Sequence, residues 1–570
     1  MIGANLVRSV ASAAAAIKAE VLALFAASGG AGLVGFIQAS AGAVARTVQE
    51  KLRQEAVSVR DFGALGNGVT DDSAALQAAL VAGGALYVPK GTYCVSTTLR
   101  LYPNTVITFH PEAVIKRTGA INYLFVNGEL GNAAFASGYD GTGNLHVRGN
   151  GATIDLNSGG AINTAAFVLA HGYGIVIEGL TIRNGWMSHA IEVNSCKRVR
   201  IRNIEVRDHG SDDTANNEAI QIDYSNAAGF PAFGSWDDTP CEDVTVEDCR
   251  FINCPSGVGT HSTPPGTKHQ DIRVVGCYFD NMQRVAVRPQ GWVSGAIAFN
   301  FIRTTGREAI YGADNDKLDI LYNDVVGSVQ ESVQLDDSTN ARIEGNRFTG
   351  ATSQADIQLL SCTDVYVLNN VIENSGQEAV WINTGTRVRV TGNRILGASQ
   401  ASSGSYSAVR LQSADDCVVT DNPMAKGGFP NAYSYGVYVV SGNRNCINTV
   451  GIEAGSSGRF GDAGAAAVLT SVDGNTLLWS GSASVGSLAL SDDINKYDHL
   501  VVVTGAVAAG ALRSAVCRGW NGPGKAPFRA GTDFVTVPTR NGQFIASVDT
   551  ATQLTIGTAN DPVRFIYGVK

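Results

Sequence analysis

The fold of this chain is decided between Ala190 and Val440, where one five-residue phrase keeps returning. Its copies are AIEVN (190–194), AIQID (219–223), GVGTH (257–261), AVRPQ (286–290), AIYGA (309–313), SVQLD (332–336), DIQLL (356–360), AVWIN (379–383), AVRLQ (408–412) and GVYVV (436–440). An aliphatic residue stands at the second position and, in most copies, at the fourth. Successive copies begin 23 to 38 residues apart. A repeat of this length predicts a solenoid in which every repeat is one coil.

A second set of positions, occupied by cysteine or asparagine, lies between the copies. It consists of Cys249, Cys277, Asn300, Asn323, Asn346, Asn370, Asn393 and Asn422, which stand before short apolar pairs such as RF, YF and RI. Apolar residues that alternate with a period of two predict strands rather than helices. Stacked coils form parallel strands with aliphatic ladders inside, and stacked asparagines can hydrogen-bond along the axis. The sequence therefore predicts a right-handed parallel β-helix.

Length and composition agree with a β-rich solenoid. The 570 residues allow two or three domains, charged residues make up only 16%, and 66 glycines supply many turns. The net charge of −9, without any basic tract, argues against a nucleic-acid partner. The 10 cysteines show no CxxC and no zinc-type spacing, so we expect reduced thiols made in a cytosol and predict no metal and no cofactor.

The first 50 residues have a different character from the repeat. Arg8 to Val44 is rich in alanine and apolar, but Lys18, Glu20 and the turn at Gly29–Gly32 interrupt it. These breaks disfavour a signal peptide or a membrane-inserted helix. We predict an amphipathic helix that associates with copies of itself or docks on a partner.

A short capping helix is predicted next, because Thr70, Asp71 and Asp72 precede the apolar run 74–82. Such a helix can cover the open end of the solenoid. It lies in a segment, Gly35 to Tyr93, that contains the series DFGA…GNGVTDD…AL…A…YVPKGTY. This series resembles the junction of phage tailspikes and tail fibres, where a linker leads into a pectate-lyase-like β-helix. Since the part before Gly35 is short for a virion-binding head, the resemblance implies attachment through a phage tail or baseplate adaptor.

The repeat is lost after the last regular coil, near Cys446. The segment Gly455–Gly464 is typical of a linker, and alternating strands such as TLLWSGSA, HLVVVTG and RFIYGVK follow it. They predict a small β-sandwich. The phrases LWSGSA…LALSDDINKYDHLVVV and IYGVK resemble a C-terminal module of phage tail proteins, which implies trimer stabilisation or glycan contact. The predicted parts are a helical attachment and linker segment (1–50), the β-helix (51–452) and the C-terminal β-sandwich (453–570).

Titratable side chains concentrate on neighbouring coils. The residue before each phrase, and the third and fifth residues within it, should point outward. The outward positions include Glu218, Gln221, Asp223, His261, Arg288, Glu308, Tyr311 and Asp336. Insertions at Ser211–Asn217, Ser225–Cys241 and Ser262–His269 flank the first of these coils and would wall a groove. The run from Glu218 to Ser262 also resembles a phrase of β-helix glycosidases and polysaccharide lyases.

Paired carboxylates in such a groove suit glycoside hydrolysis. We predict Asp223 and Glu218 as the acid/base pair, with His261 adjusting Asp223 from the next coil. Glu308 is the substitute if Glu218 merely binds Arg288. For substrate binding we predict the side chains of Trp236, Trp292, Tyr311, Arg288, Gln221 and Asp336, since flat rings stack on sugar faces. Trp381, Tyr406 and Tyr438 form a second outward aromatic group, far from the carboxylates.

These features predict a homotrimeric phage tailspike, made in the host cytoplasm and carried on the virion. It would bind and depolymerise a bacterial surface polysaccharide, such as capsule or O-antigen, by hydrolysis. One alternative is a polysaccharide lyase, in which His261 or Tyr311 removes a proton from a uronate and Arg288 neutralises the uronate carboxylate. The other is a non-catalytic receptor-binding fibre that uses only the polar and aromatic columns.

Overall fold

A computed structural model describes most of the chain. It covers residues 2–52, 57–212, 217–226, 233–261 and 266–463, together with the backbone of nine strands between Ala466 and Val569. Three long stacks of parallel strands run through residues 57–472 and form one solenoid. The expected right-handed parallel β-helix, with a helical segment before it, is therefore confirmed.

The N-terminal segment consists of short elements around one long helix. This helix, α1, spans Ile2–Ala26, and a 3-10 turn at Gly30–Leu33 follows it. Gly35–Phe36 and Arg46–Thr47 pair as antiparallel strands before a second helix, α2, at Val48–Leu52. In the part of the chain that the structure describes, Leu6–Ala26 is the one helical stretch long and apolar enough to cross a membrane, and none of it is buried.

Sheet 1 contains the recurring phrase. Its 14 strands are Leu99–Arg100, Tyr123–Val126, Ala165–Ala170, Ile191–Asn194, Glu218–Asp223, Ser256–Gly259, Val287–Arg288, Ile310–Ala313, Val333–Asp336, Ile357–Leu360, Val380–Asn383, Val409–Gln412, Tyr435–Val439 and Gly458–Asp462. The last of these strands pairs in parallel with Tyr435–Val439. The solenoid thus continues through residues 455–463, where the sequence had indicated the start of a linker, because this Gly- and Ser-rich segment still completes a coil.

Sheets 2 and 3 form the other two faces. The parallel strands of sheet 2 are Val57–Ser58, Ala85–Val88, Val106–Phe109, Leu145–Arg148, Tyr173–Glu178, Lys197–Arg202, Glu242–Glu247, His269–Val275, Trp292–Val293, Ala296–Ala298, Asp319–Leu321, Arg342–Glu344, Tyr366–Leu368, Arg389–Thr391, Val418–Thr420, Asn443–Asn448 and Ala466–Val472. The strands of sheet 3 are Asn67–Asp71, Gly91–Val95, Ala113–Arg117, Thr153–Asp155, Thr181–Arg183, Glu205–Arg207, Arg250–Ile252, Tyr278–Met282, Phe301–Thr305, Asp324–Ser328, Arg347–Thr349, Val371–Glu373, Arg394–Leu396 and Met424–Ala425.

The core follows the phrase as expected. Pairs such as Ile220 and Ile222, at its second and fourth positions, are fully buried in one continuous apolar cluster. The asparagine column is also a hydrogen-bonded ladder. Asn346 Nδ2 donates to Asn370 Oδ1 (2.9 Å), and Asn346 Oδ1 accepts from Asn323 Nδ2 (2.9 Å). The same contact links the successive asparagines from 300 to 422, so the turns between sheets 2 and 3 are tied along the axis.

A third helix, α3, covers the N-terminal end of the solenoid. It spans Ser73–Ala82, and its apolar residues Leu76 and Leu80 join the core cluster. Asp72 stands at the N-cap position, but its carboxylate accepts from the backbone N–H groups of Leu65 (2.6 Å) and Gly66 (3.2 Å) instead of capping the helix. Asp71 accepts from the Ser73 N–H (3.0 Å). Both acids therefore have structural roles.

The C-terminal region changes from parallel to antiparallel pairing, as a β-sandwich requires. One set of strands extends from Ala466–Val472 and comprises Asn475–Ala483, Val563–Val569, His499–Thr504 and Arg513–Cys517. A separate four-stranded sheet contains Gly486–Ala489, Gln553–Ala559, Gly542–Thr550 and Phe534–Thr539.

Candidate functional site

A polar cleft of about 410 Å³ opens on the outer face of sheet 1, over the strands Ile191–Asn194 and Glu218–Asp223. Its walls come from these strands and from the connections that cross them. The lining residues are Asn122, Tyr123, Asn163, Met187, Ser188, His189, Glu192, Asn194, Gln221, Asp223, Tyr224, Asn226 and His261. The outward positions of the phrase are therefore not solvated here. Glu192, Asn194 and Asp223 are all buried. The predicted insertions Ser211–Asn217, Ser225–Cys241 and Ser262–His269 lie partly outside the described residues.

Strand register fixes how these side chains face one another. Glu192 is paired with Gln221, and Asn194 is paired with Asp223. Glu192 and Asp223 thus lie on adjacent strands, two residues apart along the strand direction. With strands ~4.8 Å apart and a rise of ~3.3 Å per residue, their backbones are about 8 Å apart. Two carboxylates consequently enter one cleft from diagonal positions.

Glu192 combines burial with an unusual proton affinity. Burial raises the pKa of its carboxyl group to about 7, and the nearby Asp223 charge adds to this effect, while the hydrogen bond from Ser188 and the His261 charge oppose it. The Ser188 hydroxyl donates to Glu192 Oε1 at 3.0 Å. A carboxyl group of this kind carries a proton close to neutral pH, which is what a general acid needs.

Asp223 lies in a more polar setting than Glu192. Its Oδ1 accepts from the N–H of Tyr224 (2.8 Å), and its Oδ2 accepts from Gln221 Nε2 (3.0 Å). Hydrogen bonds of this kind stabilise a carboxylate charge. Gln221 Nε2 also lies 3.4 Å from His261 Nε2, so the amide stands between the aspartate and the histidine.

Glu218 lies behind His261 and does not line the cleft. The His261 Nδ1 donates to Glu218 Oε2 at 2.8 Å. Burial alone would raise the pKa of Glu218, but this hydrogen bond and the His261 charge hold it below its ordinary value. Burial would likewise lower the pKa of His261, but Glu218 raises it above its ordinary value. The pair is therefore a buried glutamate and a charged imidazole, and the glutamate stays ionised instead of donating a proton.

His189 completes this cluster. Its Nδ1 donates to the backbone carbonyl of Glu218 (2.7 Å), and its ring stacks on that of His261 with centroids 5.6 Å apart. Burial lowers the pKa of His189 to about 4, so this ring is neutral at neutral pH. Ligand-type atoms of His189, Glu218 and His261 lie within 4.8 Å of one another. Because both Nδ1 atoms already take part in hydrogen bonds to Glu218, we interpret the group as an orienting network instead of a metal site.

Arg288, Tyr311, Glu308 and Asp336 lie further along sheet 1 and outside the cleft. Arg288 Nη1 is 3.9 Å from Glu218 Oε1, and its guanidinium lies 5.7 Å from the Tyr311 ring centroid. Gly259, which pairs with Arg288, leaves room for this side chain to lean toward Glu218. Tyr311 donates to Asp336 (3.1 Å), while Glu308 accepts from Arg307 (3.0 Å).

Of the two tryptophans predicted to stack on sugars, one is buried and the other is exposed. Trp292 is fully buried in the core, and its indole N–H donates to Thr260 Oγ1 at 2.9 Å. It cannot meet a sugar, since its side chain points inward from the sheet 2 strand Trp292–Val293 and is fully buried, and the prediction of a platform is corrected here. Trp236, in the connection between the strands Glu218–Asp223 and Glu242–Glu247, is 45% exposed but is not among the residues that line the cleft.

Sequence reasoning missed Glu192, His189 and Asn194 as cleft residues. All three stand at the outward positions of the first phrase, AIEVN, so periodicity placed them on the correct face. The charge pattern favoured the next coils, and only the tertiary structure shows that this coil lies at the centre of the cleft. Tyr123 and Asn122 come from an earlier, irregular coil and had no signal in the repeat.

Comparisons with known proteins agree with this architecture. Residues 56–292 match the family model described as rhamnogalacturonase A/epimerase, pectate lyase-like, and residues 308–475 match the model of the right-handed beta helix region. Plasmin and fibronectin-binding protein A of Streptococcus pneumoniae is 26% identical over 292 residues, which cover 45% of this chain and 40% of that protein. The preneck appendage protein of Bacillus phage PZA is 29% identical over 235 residues, which cover 40% of this chain and 24% of that protein. The chain thus spans less than half the length of these curated relatives.

A solved structure extends the likeness to nearly the whole chain. A tailspike of E. coli bacteriophage HK620, determined in complex with a pentasaccharide, matches with a TM-score of 0.63 and 14% identity. The match covers 97% of this chain and 100% of that one. The fold and cleft define a pectate-lyase-like right-handed β-helix protein. In the arrangement of its parts, the chain resembles the phage tailspikes.

Proposed function

We propose that this chain is a phage tailspike that binds a bacterial surface polysaccharide, capsule or O-antigen, and depolymerises it by hydrolysis. The tailspike-like fold along the chain and the phage appendage relative support attachment to a virion. We infer that the attachment runs through the N-terminal segment to a tail or baseplate adaptor, since the β-helix begins only at Val57.

One observation carries the proposal of hydrolysis. Glu192, protonated near neutral pH, and Asp223, held by two hydrogen-bond donors, enter the same cleft from diagonal positions about 8 Å apart at the backbone. An inverting glycosidase holds its two carboxyl groups roughly 6.5–9.5 Å apart, so that a water molecule fits between one of them and the sugar. The diagonal backbone spacing leaves room for this arrangement, and we infer it for the side chains of Glu192 and Asp223. Glu192 thereby takes the place in the acid/base pair that the sequence had favoured for Glu218.

In the proposed reaction Glu192 donates one proton and Asp223 accepts another. Glu192 gives its proton to the glycosidic oxygen, and the bond from that oxygen to the anomeric carbon breaks. Asp223 takes a proton from a water molecule, whose oxygen bonds to the anomeric carbon from the opposite face. The products are two shorter chains, and the carboxyl groups exchange protons with solvent to reset. Glu308 forms an ion pair with Arg307 and lies outside the cleft, so it transfers no proton in this scheme.

His261 and Glu218 act as a supporting pair in this scheme. The charged imidazole offers its Nε2–H to the cleft, where it can donate to a sugar hydroxyl, and Glu218 fixes the ring orientation through Nδ1. Glu218 is therefore a positioning residue. Gln221 orients Asp223, and we infer that the exposed ring of Trp236 contacts the polysaccharide outside the cleft.

A lyase remains the second candidate, because Arg288 lies over Tyr311 on the same sheet face. One observation counts against Tyr311 as the base of such a reaction, since burial, followed by the Asp336 charge, raises the pKa of its hydroxyl group. A base for proton abstraction works best when its pKa is near the working pH.

Product analysis separates these reactions. The purified chain is incubated with a panel of purified capsular and O-antigen polysaccharides, and the anomeric form of new reducing ends is followed by NMR. Hydrolysis with inversion predicts new reducing ends of the opposite anomeric configuration and no ultraviolet absorbance of an unsaturated uronate. That absorbance would identify a lyase. Binding of a polysaccharide that is never shortened would identify a non-catalytic fibre.

A further inference from the structure

A second polar and aromatic surface lies on sheet 1, far from the cleft. In successive strands Gln358 is paired with Trp381, Trp381 with Arg410, and Arg410 with Tyr438. All four residues occupy the third position of the phrase, which Gln221 also occupies beside the cleft. We call this group of four residues the distal column.

The distal column holds polar atoms that the protein itself leaves unsatisfied. Among the described residues, Gln358 Oε1, Trp381 Nε1 and Arg410 Nε are buried and have no hydrogen-bond partner. Glu378, which is 1% exposed, adds an unsatisfied Oε2 beside them, and its other oxygen lies 3.5 Å from Arg410 Nη1. Buried polar groups are nearly always paired, so two donors and two acceptors without partners in one place point to a ligand that supplies them.

Aromatic rings frame the same surface. The Arg410 guanidinium lies 5.1 Å from the Trp381 ring centroid. Tyr438 stacks on Tyr435 with centroids 5.2 Å apart and planes 12° from parallel. Flat rings next to hydrogen-bonding groups of both kinds suit a pyranose, which has apolar faces and a rim of hydroxyls.

We propose that the distal column is a second saccharide-binding site, which holds the polysaccharide at a distance from the cleft. Six strand spacings of ~4.8 Å separate Trp381 from Gln221, a distance of about 29 Å along the solenoid. Both sites lie on the same sheet face, and Arg288, Tyr311 and Gln334 continue the column between them. One extended glycan strand can therefore occupy both. The inference rests on the proposed function, because its ligand is the same polymer.

The test measures binding in a chain that carries Asp223→Asn, so that the polymer stays intact. The probes are the same panel of purified capsular and O-antigen polysaccharides, immobilised, together with the short oligosaccharides cut from the polymer that binds. We expect Trp381→Ala and Arg410→Met each to weaken polymer binding about threefold to tenfold, as the loss of one aromatic or stacked contact implies. Binding of the short oligosaccharides in the cleft should not change.

Tyr366→Ala is the matched control, since Tyr366 is an exposed aromatic residue on sheet 2. Melting temperatures of all three variants show whether the fold is intact, and Arg410→Met keeps the aliphatic stem if Trp381→Ala does not fold. Polymer binding equal to that of Tyr366→Ala would overturn the second site. The second site would also be overturned if Trp381→Ala or Arg410→Met changed the oligomeric mass and left glycan binding unchanged.

The two proposals fail in different ways. If the unsubstituted chain binds a polymer but never shortens it, hydrolysis is refuted, while weaker polymer binding by Trp381→Ala still supports the second site. If the chain shortens a polymer, and the affinity for that polymer is unchanged by substitution of Trp381 or Arg410, the second site alone is refuted. If no polysaccharide binds, both are overturned.

Discussion

At the scale of single residues, two buried glutamates in and beside the cleft, Glu192 and Glu218, have opposite protonation states. Glu218 has a hydrogen bond from His261 at 2.8 Å, and the His261 charge favours its ionised form. Glu192 has a hydroxyl donor, and the opposing effects of this donor and of the His261 charge are smaller than that of burial, so the proton is retained. The same residue type thus supplies a fixed charge at one position and an acid at the other. The neighbouring groups, and not the depth of burial, decide the protonation state of each glutamate.

The assignment of Glu192 and Asp223 predicts their mutant rates. Glu192→Gln and Asp223→Asn should each lower kcat on the cut polysaccharide by roughly a hundred- to ten-thousand-fold, because an amide keeps the shape but cannot transfer a proton. Glycan binding should persist, and the measurement is the release of reducing ends.

Asp324→Asn, on sheet 3 and paired with Arg303, is the control for amide substitution. Normal turnover by both cleft variants would refute the assignment. If Asp336→Asn abolished turnover instead, the reaction centre would lie four coils further along the solenoid.

The raised pKa of Glu192 also predicts a pH-dependent stability difference. A carboxyl group whose pKa rises on folding from 4.5 to about 7 contributes fully below about pH 4.5, and this contribution is lost as pH rises through 7. Glu192→Gln carries no such charge. We therefore expect the variant to match the parent near pH 4 and to exceed it above pH 7 by on the order of 3 kcal/mol. Thermal melts at both pH values provide the measurement, and a difference that does not vary with pH would contradict it.

At the scale of elements, the asparagine ladder holds the turns between sheets 2 and 3. Asn346 makes four contacts there, since it also donates to the carbonyl of Ile320 (2.9 Å) and accepts from the N–H of Asn323 (2.8 Å). Each contact joins residues of different coils. The ladder therefore fixes the stacking of coils, which the aliphatic core alone would allow to slide.

Replacement of Asn346 by alanine should lower the free energy of unfolding by roughly 1–3 kcal/mol, because buried partners lose their hydrogen bonds. Turnover should not change, as the ladder is remote from the cleft. Arg347→Ala is the neighbouring control, an exposed side chain whose only ion pair, in the described part of the chain, is with Glu373 at 3.4 Å. An equal loss of stability in both variants would mean that the ladder makes no specific contribution to the free energy of unfolding.

At the scale of the whole molecule, the N-terminal helix α1 is the feature that a single chain leaves unexplained. Its apolar residues Leu6, Val10, Ile17, Val21 and Leu24 are all exposed and recur at spacings of three, four and seven along the helix. A stripe of this kind is stable in water only when it is covered. We therefore expect the α1 helices of several copies to associate through this stripe.

We expect a homotrimer, as the resemblance to tailspikes implies. Light scattering at micromolar concentration should give three times the chain mass of 59.5 kDa, and a monomer would contradict the expectation. Ile17→Glu locates the contact. A mass that falls places the association in α1, whereas an unchanged mass places it in the β-helix or the C-terminal region.

The sequence by itself determined the solenoid. The phrase with aliphatic residues at its second and fourth positions sets which side of each strand is buried, as Val333 and Leu335 show, and the spacing of copies sets the coil. Both are local properties, because alternation and period depend only on neighbours along the chain. The outward phase of Asp223, Gln221 and His261 follows from the same rule, and so does the asparagine ladder.

Only the tertiary structure decided which outward residues share a cleft. Glu192 faces Asp223 through strand register across 31 residues of chain, and Glu218 is withdrawn behind His261 because that imidazole folds back from the next coil. Trp292 turned inward at a position where the repeat gave no direction. Proton affinity depends on burial and on partners brought together from distant coils, and neither is encoded in local periodicity.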